Sequence, residues 1–143
     1  MADLFIRPFE VGDLHRFEAR PEQAREMMLA RGSVKDQAPF ALGDAITLLA
    51  AERILAVGGA YARHMGGREV LIGWALVAAD VPPRPLAAVV RHADRVLRTA
   101  TVRVLITTLD GFAAAARTAR RLGFVPAPQM HAPPGYSTWE RLP

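Results

Sequence analysis

Three side chains near the middle of the chain could move a proton: Tyr61, His64 and Glu69. Such groups act as general acid or base when held within hydrogen-bond reach of the reacting atom, and a carboxylate such as Glu69 could deprotonate an amine through a water. Each also has an ordinary structural reading. Glu69 follows Gly66-Gly67 closely, where a solvated turn residue is expected, and Tyr61 closes an apolar segment where a tyrosine packs. His15, His64, His92 and His131 show no metal-ligand spacing among themselves or with carboxylates, so no metal is expected. Cysteine is absent, which removes disulfides, thiolate zinc sites and a cysteine nucleophile together. There is no Gly-x-Ser-x-Gly elbow and no Walker-type loop, so hydrolase and nucleotide triphosphatase chemistry falls away.

Charge gives a second set of candidates. The chain carries 18 basic residues, of which only Lys35 is a lysine, against 14 acids, for a net charge of +4. Arginine in place of lysine often reflects a GC-rich genome, so the basic balance does not by itself name a partner. Arg84, Arg91, Arg95 and Arg98 recur at helical spacing opposite an apolar face and form a basic stripe relieved by Asp94. A solvated helix face is the ordinary reading; nucleic acid, cofactor phosphates or an acidic protein are the sharper ones. Aromatics interleaved with basic residues, the mark of single-strand binding, are missing from the stripe, so nucleic acid has no support beyond charge. The loop from Ala127 to Gly135 is stiffened by prolines and presents Met130 and His131 as candidate contact residues, since a stiff loop loses little entropy on docking.

These residues need a frame. At 143 residues the chain fits one domain, 1–143, with enough apolar residues to fold alone. The N-terminus has an acid where a signal peptide has a base, and the longest uncharged apolar run, Val70 to Ala79, is about half of what a membrane-spanning helix needs. A soluble, unexported protein is expected. Leu4 to Phe9 reads as a strand that Pro8 confines to a sheet edge. Gly12-Asp13 offers an N-cap for a short helix over 13–19, and Pro21 starts a second helix that Gly32 stops at Arg31. A turn-rich stretch from Gly32 to Pro39 follows. Residues 45–50 and 54–61 then form a hairpin with a bulge expected at Gly58-Gly59.

Gly66-Gly67 marks the reversal into a central strand over 69–79, apolar enough to be buried on both faces. The proline-rich turn Asp80 to Pro85 opens a helix with Leu86, Val89, Val90, Ala93 and Leu97 on one stripe. A strand over 102–108, a helix over 112–122 ended by Gly123, and strands at Phe124-Val125 and 136–139 complete the chain. Trp74 and Trp139 lie in strand-like segments and are expected in the core. The order is β-α-α-β-β-β-α-β-α-β-β, an α+β arrangement with a central mixed, mostly antiparallel sheet flanked by helices.

That order resembles the GNAT (GCN5-related N-acetyltransferase) fold. Ile6-Arg7-Pro8 followed by Gly12-Asp13 looks like the family's opening strand and helix start, and Arg121-Leu122-Gly123-Phe124 looks like the motif closing its last helix. The stretches Ala19 to Glu26, Gly73-Trp74-Ala75-Leu76, and Phe112 to Ala115 ahead of Ala119 to Phe124 are similar to a phage-encoded GNAT-like group that includes internal-virion proteins of podophages. The resemblance implies acetyl-CoA, its pyrophosphate held by backbone N–H groups of a Gln/Arg-x-x-Gly-x-Gly/Ala loop at the N-terminus of the helix after the central strand.

Here that loop reads Val81-Pro82-Pro83-Arg84-Pro85-Leu86, with three residues lacking an N–H and no glycine. The family's usual acid, a tyrosine five residues before the phenylalanine of its Gly-Phe pair, is replaced by Ala119, and an asparagine common at the start of that helix by Phe112. The expectation is a degenerate acetyl-CoA site, no cofactor, and a virion-associated or assembly protein acting through contacts with other virion proteins, in the particle or the host cytoplasm. The alternative is a working acetyl-CoA-dependent N-acetyltransferase on a small-molecule or protein amine. It would hold pyrophosphate with Arg84 and the amides of Leu86 and Ala87, with Glu69 or water as base and Tyr61 as a further candidate.

Overall fold

The structure, a computed structural model, describes residues 4–33 and 45–143. The turn-rich stretch expected at 32–39 falls mostly outside them. Seven strands, β1 (Leu4–Pro8), β2 (Ile46–Ala50), β3 (Arg53–Met65), β4 (Arg68–Val77), β5 (Val104–Leu109), β6 (Val125–Pro126) and β7 (Tyr136–Arg141), follow the sheet order β1-β2-β3-β4-β5-β7-β6. The α-helices among the described residues are α1 (Ala24–Ser33), α2 (Pro83–Leu97) and α3 (Ala113–Arg121). β4 pairs β5 in parallel, while β1–β2, β2–β3, β5–β7 and β6–β7 are antiparallel, so the sheet is mixed and mostly antiparallel with β4 at its centre.

Several local expectations change. The first helix is a 3₁₀ turn over Val11–His15, and Asp13 is not its N-cap but a residue inside the turn whose carboxylate accepts the Glu10 N–H at 3.0 Å. Pro21–Gln23 also forms a 3₁₀ turn, which α1 continues beyond Gly32 to Ser33; one glycine late in a helix weakens it without ending it. The bulge in the β2–β3 ladder lies at Leu48/Leu49. Gly58 serves a close approach instead, since a Cβ there would meet the Trp74 carbonyl oxygen at 3.0 Å. Gly66 and Gly67 take φ of +59° and +77°, as a two-residue hairpin turn between twisted strands requires. β4 is less buried than its apolar run implies: Val70 and Leu76 are buried, Ala75 is exposed, and its other apolar residues are half-exposed.

By contact the chain divides into two compact units, residues 1–61 with 74–89, and residues 62–73 with 90–143. In the first unit Leu14, Met27, Ala30, Leu49, Ile54, Val57 and Leu76 form the core, with Phe9 and Trp74 against it in an edge-to-face pair 5.8 Å apart. The second unit is built on Val104, Ala119, Phe124 and Trp139, with Leu71, Leu97, Ala116 and Leu122 packed around them. Trp139 is a core residue as expected, its indole N–H donating to Thr108 Oγ1 at 2.8 Å, whereas Trp74 is half-buried and packs against its core from the side.

Candidate functional site

The N-terminus of α2 is where a phosphate would have to bind. The first turn of a helix ordinarily leaves four N–H groups without intrahelical partners, and these hold an anion. Here the four positions are Pro82, Pro83, Arg84 and Pro85, of which only Arg84 carries an N–H. The next amide, that of Leu86, donates to the Pro82 carbonyl at 3.0 Å. Leu86 and Ala87 therefore begin the helical hydrogen-bond ladder, and the exposed Arg84 guanidinium is the one side chain of the turn able to offer a charged fork. The turn is preceded by Asp80 at φ +58° and by the Ala79 carbonyl, which accepts from Arg53 Nη2 at 2.9 Å.

The strand leading into this turn has its outer edge covered. Ala78 N–H points to β3 and bonds the Leu55 carbonyl at 2.8 Å, so by strand alternation the groups of Ala75, Val77 and Ala79 face the other way. On that side runs the segment Glu18 to Gln23. The Arg20 N–H donates to the Val77 carbonyl at 3.0 Å, the Ala79 N–H to the Glu18 carbonyl at 2.8 Å, and Ala19 bridges Ala78 in antiparallel sense. The Gln23 side chain completes the edge as a backbone amide would. Its Nε2 donates to the Ala75 carbonyl and its Oε1 accepts the Val77 N–H, both at 2.9 Å. The pantetheine arm of CoA carries two amides, and a ligand of that kind would compete for these same strand groups.

Tyr61 is half-buried on β3, while His64 and Glu69 are exposed at the outer end of the β3–β4 hairpin, as solvated turn residues are. Ala119 is buried in the second unit's core, and its carbonyl accepts the Phe124 N–H at 3.0 Å. A methyl group there donates no proton. Phe112 precedes α3 without a capping side-chain hydrogen bond.

Of the contact candidates, Arg91, Arg95 and Arg98 are exposed on or just after α2, with Arg98 in an i,i+4 pair with Asp94 at 2.9 Å. His92 beside them is held below its usual pKa, first by burial and then by the charge of Arg95. Met130 is not the open contact residue expected: it is half-buried and its sulfur accepts from Arg103 Nη2 at 3.0 Å. His131 is exposed, with its carbonyl accepting from Thr138 Oγ1. Among the described residues no cluster of three or more His, Cys, Asp or Glu could hold a metal, and no helix is long and apolar enough to cross a membrane.

Three polar arrangements escape sequence reasoning. Asp13, 1% exposed, takes a two-pronged ion pair from Arg7 (2.7 and 2.8 Å) and a 2.6 Å hydrogen bond from the Thr47 hydroxyl. Burial raises its pKa, but the bonds from Arg7, Thr47 and the Glu10 amide outweigh this and bring it down to about 2. Gln23 is the second. Arg141 is the third, donating to the Leu97 carbonyl at 2.9 Å and the Leu122 carbonyl at 3.0 Å. The only signal for the first was the spacing of Arg7 and Asp13; the other two bond backbone carbonyls or amides, which any sequence supplies.

No family model and no curated protein sequence matches the chain, but solved structures do. An acetyltransferase from Thermus thermophilus superposes with a TM-score of 0.70 over 99% of both chains at 13% identity. A GNAT-family acetyltransferase from Streptococcus pneumoniae gives 0.62 at 12% identity, covering 98% of this chain and 99% of the other. A Salmonella typhimurium protein solved with its cofactor acetyl-CoA gives 0.59 at 13% identity over 99% of this chain and 94% of its own. The chain has the GNAT fold. At these identities the likeness reaches the fold and stops there.

The residues present do not fit acetyl-CoA in the way the fold implies. Three of four first-turn positions lack an N–H, and the adjoining strand edge is closed by the chain's own segment. Each charge-assisted hydrogen bond forgone at a phosphate is worth about 1.5–3 kcal/mol.

Proposed function

We propose that this chain is a non-catalytic binding protein on the GNAT fold, with its contact surfaces rather than acyl transfer carrying its role. The observation that carries the reading is the first turn of α2, where prolines stand at three of the four positions whose amides would cradle a pyrophosphate. The closed edge of β4 and the buried methyl group of Ala119 support it. A virion-associated or assembly role is the form of this proposal that the resemblance to the phage-encoded group suggests.

Calorimetric titration with acetyl-CoA tests the reading. The expected result is no binding tighter than about 100 μM, a value equivalent to roughly −5.5 kcal/mol. Tighter binding overturns the proposal in favour of an acetyl-CoA-dependent N-acetyltransferase, and loss of that binding in Arg84→Ala would then assign the phosphate role to this guanidinium. Detection of the polypeptide in purified particles tests the virion form; repeated absence from them removes it.

A further inference from the structure

The arginine excess is concentrated in one unit. Residues 1–61 and 74–89 carry seven arginines and one lysine against ten carboxylates, a net charge of minus two. Residues 62–73 and 90–143 carry ten arginines against four carboxylates, a net charge of plus six. A genome-wide exchange of lysine for arginine would leave both units similarly balanced, and it gives no reason for acids to be sparse in one of them. Two of the four acids are already committed, Asp94 to Arg98 at 2.9 Å and Glu140 to Arg103 at 3.0 Å, and Asp110 accepts the Ser137 hydroxyl.

The basic residues sit on a built surface. Arg141 binds the C-terminal carbonyls of both α2 and α3, and Leu97 and Leu122 beside those carbonyls pack on the same core. The two helix ends are thus held side by side, with Arg91, Arg95 and Arg98 exposed at the first and Arg117, Arg120 and Arg121 exposed at the second. Helix dipoles favour arginine in a last turn, yet they equally favour acids in a first turn, and neither helix has one there. From Arg91 to Arg98 the α2 row advances about 10 Å, the length over which one strand of a duplex presents about three phosphates.

We propose that the outer faces of the C-terminal half of α2 and of α3 form a sequence-independent surface for the phosphate backbone of double-stranded nucleic acid. Arginine forks match phosphate oxygens, a row of them suits a repeating charge, and the row contains no aromatic side chain on which single-stranded bases would stack. This goes beyond the non-catalytic role and stands whether or not acetyl-CoA binds.

The test is fluorescence anisotropy of the full chain with a labelled duplex of about 20 base pairs; micromolar binding at about 50 mM salt should weaken about a hundredfold at about 200 mM if some four phosphates are engaged. Combining Arg91→Glu, Arg95→Glu and Arg98→Glu should weaken binding more than tenfold, and so should Arg117→Glu with Arg121→Glu, which keeps the test intact if the triple variant fails to fold. Arg25→Glu, in the other unit, should leave binding unchanged. No anisotropy change at the lower salt overturns the proposal. So does equal weakening by Arg25→Glu, competition by polyglutamate as effective as by unlabelled duplex, which would indicate an acidic protein partner, or displacement by millimolar acetyl-CoA. The calorimetric titration reads the absence of cofactor binding separately, so either proposal can fail alone.

Discussion

The two compact units treat charge in opposite ways. In the first, a carboxylate is taken inside: Asp13 is buried beneath β1 and β2 and joins Arg7, Thr47 and the Glu10 amide into one polar knot. In the second, the interior is apolar and aromatic around Trp139, and all its arginines but Arg103 and Arg141 are exposed, with Arg120 stacked 5.1 Å from the Trp139 ring. A buried charge fixes geometry because every partner it loses leaves another group unsatisfied. An exposed charge fixes little and is open to a partner. The first unit therefore depends on its ions for structure, and the second has ions that structure does not require.

The largest effect that would separate the units follows from Asp13. Asp13→Ala strands the Arg7 guanidinium, the Thr47 hydroxyl and the Glu10 amide at once, and should destabilise the protein by about 3–5 kcal/mol in urea unfolding. Arg121→Ala, an exposed change in the second unit, should shift stability by less than about 0.5 kcal/mol. Equal losses would erase the distinction. Acid adds a second reading. The folded-state pKa of Asp13 is about 2, below its unfolded value of 3.8, so its contribution of about 2 kcal/mol is complete above pH 3.8 and is lost as pH falls through 2. The gap between wild type and Asp13→Ala should narrow over that window, and a gap that is flat with pH would show that the carboxylate is not held as its bonds imply.

Arg141 sharpens the contrast because, like Arg103 on Glu140 and Arg120 over Trp139, it is an arginine of the second unit that structure does use. It donates to two helix-end carbonyls, that of Leu122 and that of Leu97, the latter also accepting the Ala100 N–H at 3.1 Å. Arg141→Met keeps much of the stem's packing and removes both bonds, and should cost about 2 kcal/mol. It should also weaken duplex binding by altering how the two helix ends are held, although Arg141 itself lies among half-buried residues. A loss of stability with no change in duplex affinity would separate the helix clamp from the binding surface.

Element order was legible because apolar periodicity, prolines and glycines act locally: Pro8 marked the edge strand, Gly66-Gly67 the hairpin and Gly123 the end of α3. The blocked helix start was legible for the same reason, since a proline lacks its N–H wherever it sits. What could not be read is nonlocal. Asp13 looked like a cap from its neighbours, and only β2, arriving with Thr47, makes it a buried ion. Met130 looked exposed in a proline-rich loop until Arg103 came from elsewhere in the second unit to meet its sulfur. The charge asymmetry is hidden in a total of +4 because the units are discontinuous in sequence.

A smaller loss than that at Arg141 is the most informative about the closed edge of β4. Gln23→Leu preserves the bulk of the side chain and removes both of its hydrogen bonds, leaving the Ala75 carbonyl and the Val77 N–H without it. A net loss of about 1 kcal/mol is expected, within the range for one exposed and one part-buried hydrogen bond that water can replace. Hydrogen exchange locates the change better than stability does. The Val77 amide should exchange faster in the variant, whereas the Ala78 amide, bonded to Leu55 on the opposite side of the strand, should keep its protection. Faster exchange at both would mean that the strand frays as a whole, and unchanged exchange at Val77 would mean that Gln23 does not cover the edge. With the edge opened, acetyl-CoA should still not bind tighter than about 100 μM, because the prolines of α2 remain; tighter binding in the variant than in the wild type would place the obstacle at Gln23 and not at the helix start.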